Sequence, residues 1–464
     1  MFDLSNIQGN ILRGYASFPY AQFLFLEIHD ASDARAFVQR LVDHNWVTPA
    51  QWRAKPDATL NIAISFDGLR ALGLPEESLA TFPVEFQDGM RQRAKALGDV
   101  GDSSPDNWDD PWGRRSVHIL LMMYGRTDQA LAAHCRKFRD LLPNGVAELK
   151  PDQTAGQLHI GGHPTRYEHF GFLDGLSNPD VQGVPEDGGS GGRQDIGNPD
   201  NKGGFRKIPL GEFILGHRGE GGELAPMPLP HSLAHDSTYL VFRKLEQHVL
   251  RFRSYLEAQA GAFARAFPNG LPANVSAENF LAAKMMGRWQ EGSSLVDDPY
   301  GSGKNAGNTF GYAQDPAGAR CPLGAHVRRA NPRDSLGFGG KTMSRHRLIR
   351  RGIPYGEYLP PKERDEARRG IIFIAFNSGF DQFEFVQQNW INYGDDFEQG
   401  NDRDPIAGSR ESGQMVIPGD ESTGRRPFIC FDIPRFVTTK GGDYFFVPSL
   451  TGLRVLASGR AEVS

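Results

Sequence analysis

Asp174 stands in the run His169–Pro179, HFGFLDGLSNP, directly after Phe170, Phe172 and Leu173 and before Gly175. A carboxylate in so apolar a setting is costly unless something pairs with it or uses it. The local residues leave open which of the two applies. His326, in CPLGAHVRRANPRD, has two readings: a hydrogen-bonded core or surface histidine, or the ligand of a metal or haem iron. Farther on, SRHRLIRRGIPYGEYLPP (Ser344–Pro361) alternates cationic and apolar residues, then turns at Gly352, Pro354 and Gly356. As a strand it puts Arg345, Arg347 and Ile349 on one face and His346, Leu348 and Arg350 on the other. Such a segment is either a solvated cationic edge or the carrier of an arginine aimed into a pocket to stabilise anionic charge. Glu384, between Phe383 and Phe385, is either a surface acid flanked by core or the acceptor for the free N–H of a ligand histidine. His231 and His235 are four residues apart, but PMPLPHSLAHDS is Pro-rich and poorly helical, so the pair is read as incidental.

Strands and helices that could hold these residues alternate along the chain. Gln22–Ile28, Leu60–Phe66, Ser116–Gly125 and VAELKPDQ (from Val146) read as strands. Ser32–Trp46, the stretch from Val84 to Gly98, and TDQALAAHCRKFRDLL read as helices, the last with Leu131, Cys135, Phe138 and Leu142 on one face. Short strand spacings and few helices fit an α+β sheet with helices on one face better than a doubly wound sheet. From Gly183 to Gly204 the chain is mostly Gly, Asp, Asn and Pro, which reads as a long surface loop and a boundary between halves 1–205 and 206–464. The second half resumes with a strand in STYLVFRKLEQHV and helices in LRFRSYLEAQAGAFARAF and AENFLAAKMMG. The strand Gly370–Ser378 is apolar on both faces, as a covered central strand should be, with Ile374 and Phe376 projecting to one side.

The 464 residues suffice for two core-forming units. A net charge of −5 offers none of the basic footprint that nucleic acid requires. Thirty-one Phe are enough to line a large apolar pocket. Cys135, Cys321 and Cys430 are far apart and odd in number, which argues against a disulfide framework or a zinc site. MFDLSNIQGN lacks the charge and apolar run of a signal peptide, and no window reaches the roughly 18 apolar residues of a membrane helix. The expectation is a soluble, cytoplasmic protein without membrane or nucleic-acid partners.

Taken in order, NIQGNIL (Asn6–Leu12), GFLDG (Gly171–Gly175), GRWQEGSSL (Gly287–Leu295), GAHVRRANPRD and RRGIPYG resemble the dye-decolourising peroxidases, a haem enzyme family. The blocks are most similar to its larger bacterial and fungal class. The resemblance implies two ferredoxin-like α+β halves with haem b bound mainly by the second. It implies a peroxidase that reduces hydrogen peroxide through a ferryl intermediate and oxidises dyes, phenolics or other aromatic reductants, with an oligomer possible. By the same resemblance His326 is the iron ligand, Asp174 the distal acid and Arg350 the distal arginine, ahead of Arg351. Ile374 and Phe376 would close the distal pocket, and Glu384, with Asp381 as competitor, would hold the ligand imidazole. His169 and Arg288 would contact the haem propionates. Trp390 and Tyr393 are candidate relays for electrons from bulky reductants. Three other readings stay open: chlorite breakdown on the same fold, a haem carrier needing only His326, and a haem-free hydrolase using Asp174 as nucleophile.

Overall fold

The computed structural model describes residues 3–113, 117–184, 198–199, 205–267, 269, 271–272, 275–303, 307–337, 343, 345–409, 411–422 and 424–459. Most of the expected Gly183–Gly204 loop therefore lies outside the described residues. The first half is built from β1 (Tyr20–Ile28), α1 (Ala31–Asp43), β2 (Ala58–Ile64), α2 (Val84–Leu97), β3 (Ile119–Gly125), α3 (Asp128–Arg139) and β4 (Val146–Gly156). The second contains β5 (Thr238–Gln247), α4 (Val249–Ala264), α5 (Ala277–Met286), α6 (His326–Ala330), β6 (Ile349–Arg350) and β7 (Ile353–Tyr355). It continues with β8 (Gly370–Asn377), α7 (Asp381–Phe385), the hairpin β9 (Ser412–Ile417) and β10 (Phe428–Pro434), β11 (Val437–Val447) and α8 (Leu450–Ser458).

One antiparallel sheet runs β6-β8-β5-β11-β2-β3-β1-β4, with β7 also paired to β8. The first strand of each half is thus flanked by two later ones: β1 by β3 and β4, β5 by β8 and β11. Helix starts follow local chemistry: the Asp30 carboxylate accepts from Asp33 N, Thr127 Oγ1 from Ala130 N, and Ser449 Oγ from Gly452 N. The expected strand Leu60–Phe66 ends at Ile64 instead, because Ser65 caps a short helix, Phe66–Ala71. Phe37, Val38 and Leu41 of α1 and Leu131, Cys135 and Phe138 of α3 are buried, the apolar stripe expected at helical spacing.

The two half-sheets meet through a single residue pair, Phe446 of β11 and Ile64 of β2. The segment NIQGNIL spans this seam. Gln8, fully buried, donates from Nε2 to Ile62 O (2.9 Å) and Pro448 O (2.8 Å), and its Oε1 accepts from Ile62 N. Arg351 donates to Asn10 O and Ile11 O (3.0 Å each). Asn6 O accepts from Leu450 N, and Asn6 Oδ1 from Thr451 N. Among the described residues no helix is long and apolar enough to cross a membrane.

Candidate active site

A cavity of about 440 Å³ lies between the second half's part of the sheet and a layer of loops and short helices. The sheet face is set by strand alternation. In the β8–β5 register Phe373 pairs with Arg243 and Ile371 with Leu245, and all four line the cavity. Ile374 pairs with Phe242 and Phe376 with Leu240 on the opposite face, in the main hydrophobic core. The expectation that Ile374 and Phe376 close the pocket is therefore corrected by one residue of register: Phe373 and Ile371 occupy that place.

The GFLDG loop forms the other wall. Gly171 (φ +95°) and Gly175 (φ +72°) both adopt the left-handed backbone that glycine tolerates. At Gly171 a Cβ would also crowd Gln290 Nε2, at 3.2 Å. Asp174 N donates to Arg166 O and Leu173 N to Gln290 O (2.8 Å each), while Arg166 Nη2 holds the carbonyls of Asp174 and Gly175. Asp174 lines the cavity with Oδ1 accepting from Gly175 N at 2.6 Å, which leaves Oδ2 for other chemistry.

Glu168 anchors the loop from beneath. Its buried carboxylate accepts from Phe170 N (2.9 Å), Phe172 N (2.8 Å) and Gln247 Nε2 (2.6 Å). Burial, only partly offset by these bonds, pushes its pKa up to about 7. The next residue points the other way. His169 lies outside the cavity lining and bonds through Nε2 to Tyr355 O at 2.9 Å. Desolvation lowers its pKa to about 4, so the ring is neutral. His169 is thus corrected from a cavity contact to a tie between the loop and β7. Arg288 does line the cavity, and its guanidinium also holds Gly292 O (2.8 Å), Ser177 Oγ (3.2 Å) and Asn308 Oδ1.

His326 opens α6 and lines the same cavity. Its Nδ1 bonds to Asp404 Oδ2 at 2.9 Å. Asp404 is itself held by the backbone N–H groups of Ile406 and Ala407, both at 2.8 Å to Oδ1. Burial alone would lower the imidazole and raise the carboxyl. The charge and hydrogen bond between them outweigh it, so His326 lies above the usual imidazole range and Asp404 below the usual carboxylate range. With Nδ1 engaged, Nε2 is the nitrogen left to ligate.

The carboxylate at His326 is therefore neither Glu384 nor Asp381. Glu384 accepts from Arg93 Nε and Nη2 (2.5 Å each) and from Tyr444 Oη (2.7 Å), tying α2, α7 and β11 together. Its place between two Phe gives it a buried partner set, but on the side of α7 that meets α2. Asp381 is exposed. Glu384→Gln is accordingly expected to leave the His326–Asp404 pair undisturbed and to cost about 1–3 kcal/mol of stability, read from denaturant unfolding.

Arg350 also lines the cavity. Its backbone N is fixed by Asn178 Oδ1 at 2.9 Å, and among the described residues its guanidinium has no hydrogen-bond or ion-pair partner. Arg351 belongs to the seam. Arg347, which sequence reading placed on the opposite face from Arg350, faces the cavity too, because β6 begins only at Ile349. Trp390 is buried against His346, Phe385 and Phe397, with Nε1 donating to Asp396 at 2.9 Å. Tyr393 is 48% exposed.

Seven arginines and three carboxylates line the cavity, alongside apolar side chains such as Phe172, Met286 and Val386. That combination suits a ligand with an apolar plate and anionic arms.

The first 150 or so residues match a known family model: residues 6–155 match the DyP dimeric alpha+beta barrel domain. The chain is 30% identical to the dye-decolorizing peroxidase msp1 of Mycetinis scorodonius, over 98% of its own length and 88% of that protein's. It belongs to the dye-decolourising peroxidase family. The multifunctional dye peroxidase DyP2 of an Amycolatopsis species is 28% identical over 98% of this chain and 96% of that protein. A solved dye-decolorizing peroxidase in complex with 2,6-dimethoxyphenol superposes with a TM-score of 0.80 at 27% identity, covering 98% of this chain and all of that one. The enzyme is thus a peroxidase of α+β architecture.

Proposed function

We propose that the cavity holds haem b, with His326 Nε2 as the iron ligand, and that the enzyme reduces hydrogen peroxide at the expense of dyes and phenolics such as 2,6-dimethoxyphenol. The observation that carries this reading is the His326–Asp404 pair opening on the same cavity as Asp174 and Arg350. Bound haem supplies the two-electron reduction of peroxide and the one-electron steps that oxidise the reductant. The residues supply position, charge and protons. Asp404 fixes the imidazole's orientation and raises its basicity. Asp174 takes a proton from peroxide at Oδ2 and returns it to the departing oxygen. Arg350 offers a permanently charged, uncommitted fork to the negative charge that develops there. Glu168 and Arg166 hold the loop that aims Asp174, and Arg288 would balance a propionate. Trp390 and Tyr393 offer reductants too large for the cavity a route for electrons. The halves, 1–205 and 206–464, are each read as ferredoxin-like.

The test is a haem titration of the apoprotein followed by a turnover assay. One equivalent should give a strong Soret band, and peroxide-dependent oxidation of 2,6-dimethoxyphenol should follow. A full band without turnover would favour the haem-carrier reading, and no stoichiometric band would end the proposal. Asp404→Asn should keep the fold, bind haem about 10- to 100-fold more weakly and raise the iron's reduction potential, measured by spectroelectrochemical titration. An unchanged potential would remove Asp404 from this role.

A further inference from the structure

Outside the cavity, His217, His235 and Asp236 bring their ligand atoms within 4.8 Å of one another. We infer that these three side chains bind a divalent transition cation of the zinc type. Asp236 is the centre of the arrangement. His217 Nε2 approaches its Oδ1 at 2.7 Å and His235 Nδ1 its Oδ2 at 3.3 Å. The two rings lie 5.3 Å apart, centre to centre. His231, four residues before His235, is exposed and takes no part in the cluster.

Three features favour a cation over a plain hydrogen-bonded pair. The Asp236 side chain is only 6% exposed, yet among the described residues its ion-pair partners are these two imidazoles alone. No Lys or Arg compensates the buried carboxylate in those pairs. The carboxylate is also oriented from behind: Asn6 Nδ2 donates to Oδ2 at 2.9 Å, and Asn6 Oδ1 is in turn fixed by Thr451 N and Oγ1 (2.9 and 2.8 Å). Outer partners of this kind fix the orientation of metal ligands. Finally, the donor set is right. Two imidazole nitrogens and one carboxylate oxygen suit zinc and its neighbours, with bonds of about 2.0–2.2 Å and a remaining position for water. Seating the ion needs His217 to withdraw slightly from Oδ1 and His235, 54% exposed, to swing inward. The ion would bolt the loop around His217 to the N-terminal segment at Asn6.

The experiment is equilibrium dialysis of the chelator-treated holoenzyme against Zn²⁺, with metal counted per chain and the Soret band recorded alongside. One Zn²⁺ per chain is expected, with a Zn²⁺-dependent rise in Tm. His235→Ala and Asp236→Asn should each weaken binding ~100-fold with the Soret band unchanged, and His231→Ala should bind as the parent does. Because His235 is exposed, its truncation keeps the fold intact and the comparison decisive. No stoichiometric Zn²⁺ in the parent, parental affinity in His235→Ala, or equal loss in His231→Ala would each overturn the assignment. None of these outcomes depends on peroxidase turnover.

Discussion

His326→Ala protein, expressed with haem supplied, is expected to leave purification almost without a Soret band. Removing an outer partner of a ligand typically costs about 10- to 100-fold in affinity, and removing His326, the ligand on the reading proposed above, should cost more. The variant also strands Asp404, a buried carboxylate whose low pKa depends on the imidazole beside it. Some loss of stability is therefore expected with the loss of haem. Exogenous imidazole separates the two effects: it can fill the space left by the ring, accept Asp404 as partner and restore the band. A variant that binds one equivalent with the parental spectrum, and gains nothing from imidazole, would place the ligand elsewhere.

Replacing Asp174 or Arg350 should slow the reaction with peroxide by orders of magnitude, in distinguishable ways. Loss of a proton shuttle costs ~100- to 10,000-fold, and loss of one preorganised donor ~100- to 1,000-fold. These ranges overlap, so the size of the effect cannot assign the roles. Dependence on pH can. If Asp174 is the proposed shuttle, Asp174→Asn removes the proton acceptor and should flatten the acid limb of the peroxide step. A guanidinium stays charged throughout, so Arg350→Leu should lower the rate at every pH and keep the limb. Stopped-flow absorbance at the Soret band, from pH 3 to 8, reads both. Parental rates in Asp174→Asn would leave the GFLDG loop a structural role alone, with Arg350 and water carrying the step.

What could be read from the sequence divides along the range of the interactions involved. Local periodicity located β1, α1, α3 and β5 within a few residues, because strand and helix patterning is written into adjacent side chains. The family blocks brought Asp174, His326 and Arg350 to one cavity. The errors are each of a definite kind. Ile374 and Phe376 were misplaced because a strand buried on both faces carries no polar residue to mark which face is which. Glu384 was chosen for a local feature, two flanking Phe, whereas the partner of His326 lies 78 residues away in chain order. Asp404 sits in NDRDPIAG, where nothing in the neighbouring residues sets it apart from Asp402. Glu168 was passed over beside the more conspicuous His169, because its role rests on bonds to the turn it opens, at Phe170 N and Phe172 N, and to Gln247 79 positions on.

The seam closed by residues 6–12 has a consequence for how this chain is made. Asn6 leaves the ribosome well before its partner Thr451, which follows 445 positions later. At synthesis rates of about 5–20 residues per second, roughly 20 to 90 s separate them. During that interval the first half can pair β2, β3, β1 and β4, but the free edge of β2 has no β11 to meet and Gln8 no Pro448 carbonyl to reach. An uncovered edge strand is a template for the wrong partner, including the same strand on a neighbouring nascent chain. Gln8 Oε1, already accepting from Ile62 N, occupies that edge in the meantime. The N-terminal segment thus works first as a temporary guard and only later as mortar between the halves.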